Sequence, residues 1–91
     1  MKYRRIYRLP LPASSKLVLT AMNAEADEAG DLKAFVGQVA AWCGLEPRTV
    51  RKAITKLVEL GYVIVLYAKG GNARPNEYRV VRTLIDEDSD V

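Results

Sequence analysis

The sequence predicts an α+β domain, three helices followed by a β-hairpin, and three observations predict it. Between Pro47 and Leu60, apolar Val50, Ala53, Ile54, Leu57 and Leu60 recur at the i, i+3, i+4, i+7 spacing of a helix with one buried face. Gly61 follows, and then Tyr62 to Tyr67, a β-branched and aromatic run of strand length. A stretch dense in turn formers, Lys69 to Pro75, separates that run from a second strand-like segment, Asn76 to Val81. The 91 residues fit one domain and leave no room for two cores.

The elements before the hairpin follow from local chemistry. Pro10 and Pro12 forbid a helix in the first twelve residues and bias their predecessors to extended geometry, so the basic segment 1–13 is expected to be extended, either as an arm that reaches along DNA or packed on the domain through Ile6, Tyr7 and Leu9. Ser14 or Ser15 is the expected cap of a first helix whose apolar face carries Leu17, Val18, Ala21 and Met22. Gly30 suits a left-handed cap or turn beyond it. Ala34-Phe35-Val36 reads either as a short strand or as the lead-in to a second helix. That helix runs from about Gly37 to Cys43 and buries Val39, Ala40 and either Cys43 or Trp42. Gly44-Leu45 makes a turn. The third helix opens with Glu46 as cap and Pro47 at its first position, where a missing N–H costs nothing. Gly61 closes it. The domain is expected over 14–82, with an acidic tail or linker at 83–91.

Composition narrows the function. No apolar stretch approaches the ~20 residues that span a bilayer. Leu9-Pro10-Leu11-Pro12 stands where a secretion signal would need a long apolar run. The single cysteine, Cys43, gives no internal disulfide, and its apolar neighbours suggest a small buried hydrophobe. The chain therefore reads as cytoplasmic, in a bacterial cell or a phage-infected host. A net charge of +3 says little, but its distribution says more: +4 over residues 1–8, −3 over 9–47, +6 over 48–82 and −4 over 83–91. A basic region beside an acidic one is the pattern of a polyanion-binding face, although charge alone also fits a solvated surface.

Two helices joined by a tight, glycine-containing turn form a helix-turn-helix, whose second helix fits the DNA major groove. With its apolar row turned inward, the third helix leaves Arg48, Thr49, Arg51, Lys52, Thr55 and Lys56 outward. Between Arg48 and Lys56 that face has four cations and no acid, whereas a merely solvated face usually mixes signs. Arg48 and Arg51 suit bidentate donation to guanine or phosphate, and Thr49 suits a phosphate or a thymine methyl. Lys52 and Lys56 suit backbone phosphates. Binding of double-stranded DNA is the expected function.

The stretch Leu45-Glu46-Pro47-Arg48-Thr49-Val50-Arg51-Lys52-Ala53-Ile54-Thr55-Lys56-Leu57, with Glu59-Leu60-Gly61-Tyr62-Val63 after it, resembles the winged helix-turn-helix core of GntR-type regulators and of phage and plasmid helix-turn-helix proteins. The resemblance covers roughly residues 14–81, and it implies that Thr49 and Arg51, with Arg48 beside them, contact DNA. Arg74-Pro75-Asn76-Glu77-Tyr78-Arg79-Val80 is similar to the Asn-x-Tyr strand that ends the domain in phage and plasmid replication-associated proteins. It implies a basic wing that places Lys69, Asn72 and Arg74 on the backbone or in the minor groove. Tyr62 and Tyr78 read as core or sheet residues.

The sequence carries no sign of catalysis, and no cofactor or metal is expected. It has no histidine, the usual general base and metal ligand. Ser14-Ser15-Lys16 sits where a helix cap is needed, and Gly70-Gly71 lacks the lysine and hydroxyl of a phosphate-binding loop. The expected roles are transcriptional regulation, or accessory work in phage or plasmid replication or recombination, with a homodimer or a protein partner in such a complex admitted. The competing function is a protein-interaction module whose basic face docks an acidic partner.

Overall fold

The computed structural model describes residues 5–68 and 74–85. Its elements run in order: a 3-10 turn at Ile6–Arg8, helix α1 at Ala13–Glu25, strand β1 at Asp31–Ala34, helix α2 at Val36–Cys43, helix α3 at Pro47–Glu59, strands β2 at Val63–Tyr67 and β3 at Asn76–Val80, and a second 3-10 turn at Arg82–Leu84. The three helices pack on one face of a three-stranded antiparallel sheet ordered β1-β3-β2. The α+β architecture and the order of helices and hairpin agree with the sequence. The third strand is an addition: Asp31 to Ala34 pairs with Arg79 to Asn76, nearly fifty residues downstream.

α3 is the most regular element. Val50, Ala53, Ile54 and Leu57 are buried, and Pro47 stands at its start with Glu46 as the extended capping residue. Glu46 offers no side-chain hydrogen bond; the cap is conformational, and Val50 N–H donates to the Glu46 carbonyl at 3.1 Å. Leu60 departs from the expectation and is 49% exposed. It lies past the helix end, where Gly61 takes φ 86° and Tyr62 N–H turns back to the Leu57 carbonyl.

α1 differs more. The residue at its capping position is Pro12, not a serine, since the helix starts at Ala13 and proline lacks only an N–H that the first turn could not use. Ser15 is instead 2% exposed, inside the core. The buried face is Ser15, Val18, Leu19 and Met22, while Leu17 is 43% exposed. The expected face is thus turned: Leu19 replaces Leu17 inside, where α1 packs against α3, α2 and the first turn.

Gly30 does not cap α1, which ends in extended backbone at Ala26. It leads into β1 with φ 90°, and a Cβ there would lie 2.6 Å from the Val80 carbonyl oxygen. Only glycine fits that approach, because Val80 N–H also donates to the Gly30 carbonyl at 2.8 Å. Ala34 closes β1, and Phe35 caps α2 in extended geometry with its N–H donating to Gln38 Oε1 at 2.9 Å. Both readings of Ala34-Phe35-Val36 are thus realised in turn. Within α2, Val39 and Ala40 are buried and Cys43 packs half-buried against the core, while Trp42 is exposed.

The flanking segments also join the core. Ile6, Leu9 and Leu11 are buried, the two prolines holding the chain extended between the first turn and α1. Ile85, which the sequence placed with the acidic tail, is fully buried. The rest of that tail, residues 86–91, and residues 1–4 lie outside the described residues.

Candidate nucleic-acid interface

α2 ends at Cys43, Gly44 adopts left-handed backbone at φ 68°, and Leu45 N–H donates to the Ala40 carbonyl at 3.0 Å. This closes the helix with a glycine no side chain crowds, and redirects the chain into α3. Three residues, Gly44, Leu45 and Glu46, therefore join the two helices. Leu45 packs partly buried against the core.

On α3, Arg48, Arg51, Lys52, Thr55 and Lys56 are exposed, and Thr49 is half-buried. The four cations form no ion pair and no hydrogen bond with any other described residue. Helical geometry divides them. Arg48 and Lys52 point directly away from the core, Arg51 and Thr55 lean toward the sheet, and Lys56 leans with Thr49 to the opposite flank. The sequence grouped these six as one outward face; the structure brings five to the surface and leaves Thr49 at its margin.

Arg74 is in a different state. Its Nη2 donates to Glu77 Oε2 at 2.9 Å, and its guanidinium lies 3.8 Å from the centre of the Tyr67 ring. Its hydrogen bond to the Glu77 carboxylate holds the guanidinium even more firmly protonated than usual. Arg74 thus fastens the loop end of the hairpin, beside the register shift between Val65 and Tyr67. Lys69 and Asn72, the other expected wing residues, lie outside the described residues.

Between α3, the start of α2 and the loop-proximal half of the hairpin runs an open groove of about 440 Å³. Arg51 and Thr55 form one wall, Phe35 and Gly37 another, and Asn76 and Tyr78 the third. Tyr78 is 3% exposed, as its reading as a sheet residue required, and burial pushes its hydroxyl pKa up. Asn76 Nδ2 donates to its oxygen at 2.9 Å. The sequence did not connect Asn76, Tyr78 and Gly37 with α3, since their meeting depends on how the sheet seats against the helices. The signal present was the Asn-x-Tyr spacing, which puts both side chains on one face of a strand.

No described helix is long and apolar enough to cross a membrane, and no cluster of potential metal ligands occurs among the described residues. Cys43 is half-buried, and burial pushes its thiol pKa up, away from the reactive thiolate.

Two helices joined by a three-residue glycine turn, with a β-hairpin beyond the second, define a winged helix-turn-helix domain. The chain belongs to the Helix-turn-helix domain family, which it matches over residues 9–63. Among solved structures it is similar to the DIP2311 protein from Corynebacterium diphtheriae, with 26% identity and a TM-score of 0.50. That match covers 75% of this chain and 11% of the other, so this chain spans a small part of its neighbour's length. None of the curated proteins matches it. The family is one whose fold points to DNA binding and not to catalysis.

Proposed function

We propose that the chain binds double-stranded DNA with α3 in the major groove. One observation carries this reading: four exposed cations on α3 have no partner among the described residues, whereas the other described cations, Lys33 apart, have one. Lysine and arginine left unpaired on the second helix of a helix-turn-helix match the dense negative charge of a duplex. Arg48, nearest the start of α3 and pointing straight outward, is the first candidate for guanine recognition, with Thr49 beside it. Lys52 and Lys56 meet phosphates. The wing, through Lys69, Asn72 and Arg74, reaches the backbone or minor groove. A regulator, or an accessory factor of phage or plasmid replication or recombination, acting in the cytoplasm, is the setting these contacts suit.

Fluorescence anisotropy with a random-sequence duplex, across a salt series, tests this. Binding should weaken steeply with salt. Arg48→Ala with Arg51→Ala should weaken it by about 100-fold and flatten the salt slope, by about one for each of the two that meets a phosphate and not a base. Absence of binding at low salt would sink the proposal and favour an acidic protein partner.

A further inference from the structure

We infer that Glu77 and Tyr67 are positioning residues for DNA binding: together they hold the Arg74 guanidinium in one direction and one plane, with its remaining donors set to meet a backbone phosphate of the duplex. The inference rests on the DNA-binding reading. It goes beyond that reading by giving an acid and a tyrosine of the hairpin a part in binding, and by assigning Arg74 to the backbone and not to the minor groove.

Arg74 and Arg79 each meet a carboxylate, but in different ways. Arg79 gives both Nε and Nη2 to Asp31, across the β1–β3 pair, and so spends one edge of its fork. Arg74 gives Nη2 alone to Glu77 Oε2 at 2.9 Å, and its other N–H groups donate to no described residue. Its side chain is 55% exposed, against 25% for that of Glu77. Tyr67 sets the plane, since the guanidinium carbon lies 3.8 Å from its ring centre. Stacking of this kind leaves the rim of a guanidinium, where its donors point, clear of the ring. Tyr67 and Glu77 are register partners at the loop end of the hairpin, which puts both side chains on one face of it.

The place of this cluster in the fold supplies the acceptor. Ala68, next to Tyr67, and Asn76, next to Glu77, line the groove together with Arg51 and Thr55 of α3. The loop end of the hairpin therefore stands beside α3, and a duplex gripped by α3 passes close to Arg74. An arginine tied back to its own strand cannot extend into the minor groove, so its free donors meet the outermost acceptors of the duplex, the phosphate oxygens. Paired N–H bonds to one phosphate suit the guanidinium fork. Glu77 cancels the charge of Arg74, so the cluster adds placement and not net charge. The rotamer freedom that a loose arginine gives up on binding is already given up here.

Glu77→Gln separates placement from charge, because the two predict opposite signs. By charge alone, removing an acid beside DNA tightens binding. By placement, the change frees Arg74, and the random-sequence duplex should bind about three- to fivefold more weakly. The melting temperature should stay close to the parent's, since an exposed ion pair adds little stability. Tyr67→Leu should weaken binding to a similar degree, and Tyr67→Phe, which keeps the ring, should not. In the Arg74→Ala background neither Glu77→Gln nor Tyr67→Leu should weaken binding further, because both act through Arg74. Arg74→Ala alone should lower the salt slope by about one, as the loss of a phosphate contact requires. Equal or tighter binding by Glu77→Gln, or a weakening that persists without Arg74, would overturn the positioning roles and leave the DNA-binding reading standing. An unchanged salt slope in Arg74→Ala would overturn the phosphate contact. No binding by the parent protein would overturn both the inference and the reading beneath it.

Discussion

The outer face of α3 and the side of the domain formed by β1 and the end of α1 hold their arginines in opposite states. On α3, Arg48, Arg51, Lys52 and Lys56 stand exposed without partners among the described residues. On the other side, Arg79 forms a two-point pair with Asp31, its Nε at 2.6 Å and its Nη2 at 3.1 Å from the carboxylate. Arg82 donates to the Asn23 side chain and to the carbonyls of Asn23, Asp27 and Glu28. Those carbonyls belong to the end of α1 and the turn after it, where helix geometry leaves acceptors unfilled. Asp31 accounts for the pairing of Arg79, and the open carbonyls after α1, with Asn23, account for that of Arg82. Charge that holds the domain together is neutralised locally, whereas charge meant for a polyanion is left for its partner to neutralise.

The comparison can be broken or sharpened by exchanging losses between the two regions. The largest stability effect belongs to Arg82→Ala. It should cost roughly 1–3 kcal/mol, because charged hydrogen bonds to α1 and its following turn are lost and their acceptors left unmet. Thermal denaturation reads this loss, and duplex affinity of the folded fraction should not change. A variant that kept its stability but lost DNA binding would erase the distinction. Lys52→Ala with Lys56→Ala should do the reverse. About tenfold weaker binding is expected, uniform across duplex sequences, with stability within about 0.5 kcal/mol of the parent.

The smallest effect concerns pH. The Arg79 hydrogen bonds hold the Asp31 carboxyl below its ordinary pKa. A depressed folded-state pKa adds stability above the unfolded value, near 4, and loses it as pH falls through the folded value. Asp31→Asn should therefore flatten the decline of melting temperature below about pH 4 and leave the DNA salt slope unchanged. An unchanged acid decline in this variant would show that the pair is too exposed to contribute.

How far the sequence could be read depended on whether the deciding contact was local. α3 was legible because the rows Val50-Ala53-Ile54-Leu57 and Arg48-Lys52-Lys56 repeat at helical spacing, and because Pro47 and Gly61 mark its ends by backbone chemistry. Gly44 announced the turn for the same reason. The burial of Leu19 in place of Leu17 on α1 was not local, since packing against the other elements decides which side of the helix turns inward. Nor were the pairing of β1 with β3, the burial of Ile85 or the pairing of Arg74 with Glu77 and Tyr67.

The amino-acid sequence by itself determined three helices, their turn, the hairpin and a cationic helix face, since periodicity, proline and glycine act through the backbone within a few residues of where they stand. Tertiary structure alone decided which cations remain unpaired and which donors meet across the groove. Both depend on side chains far apart in the chain: Asp31 and Arg79 are 48 residues apart, and Gly37, Arg51 and Tyr78 line one groove from three separate elements. Their approach follows from the packing of the helices on the sheet, which no local pattern encodes.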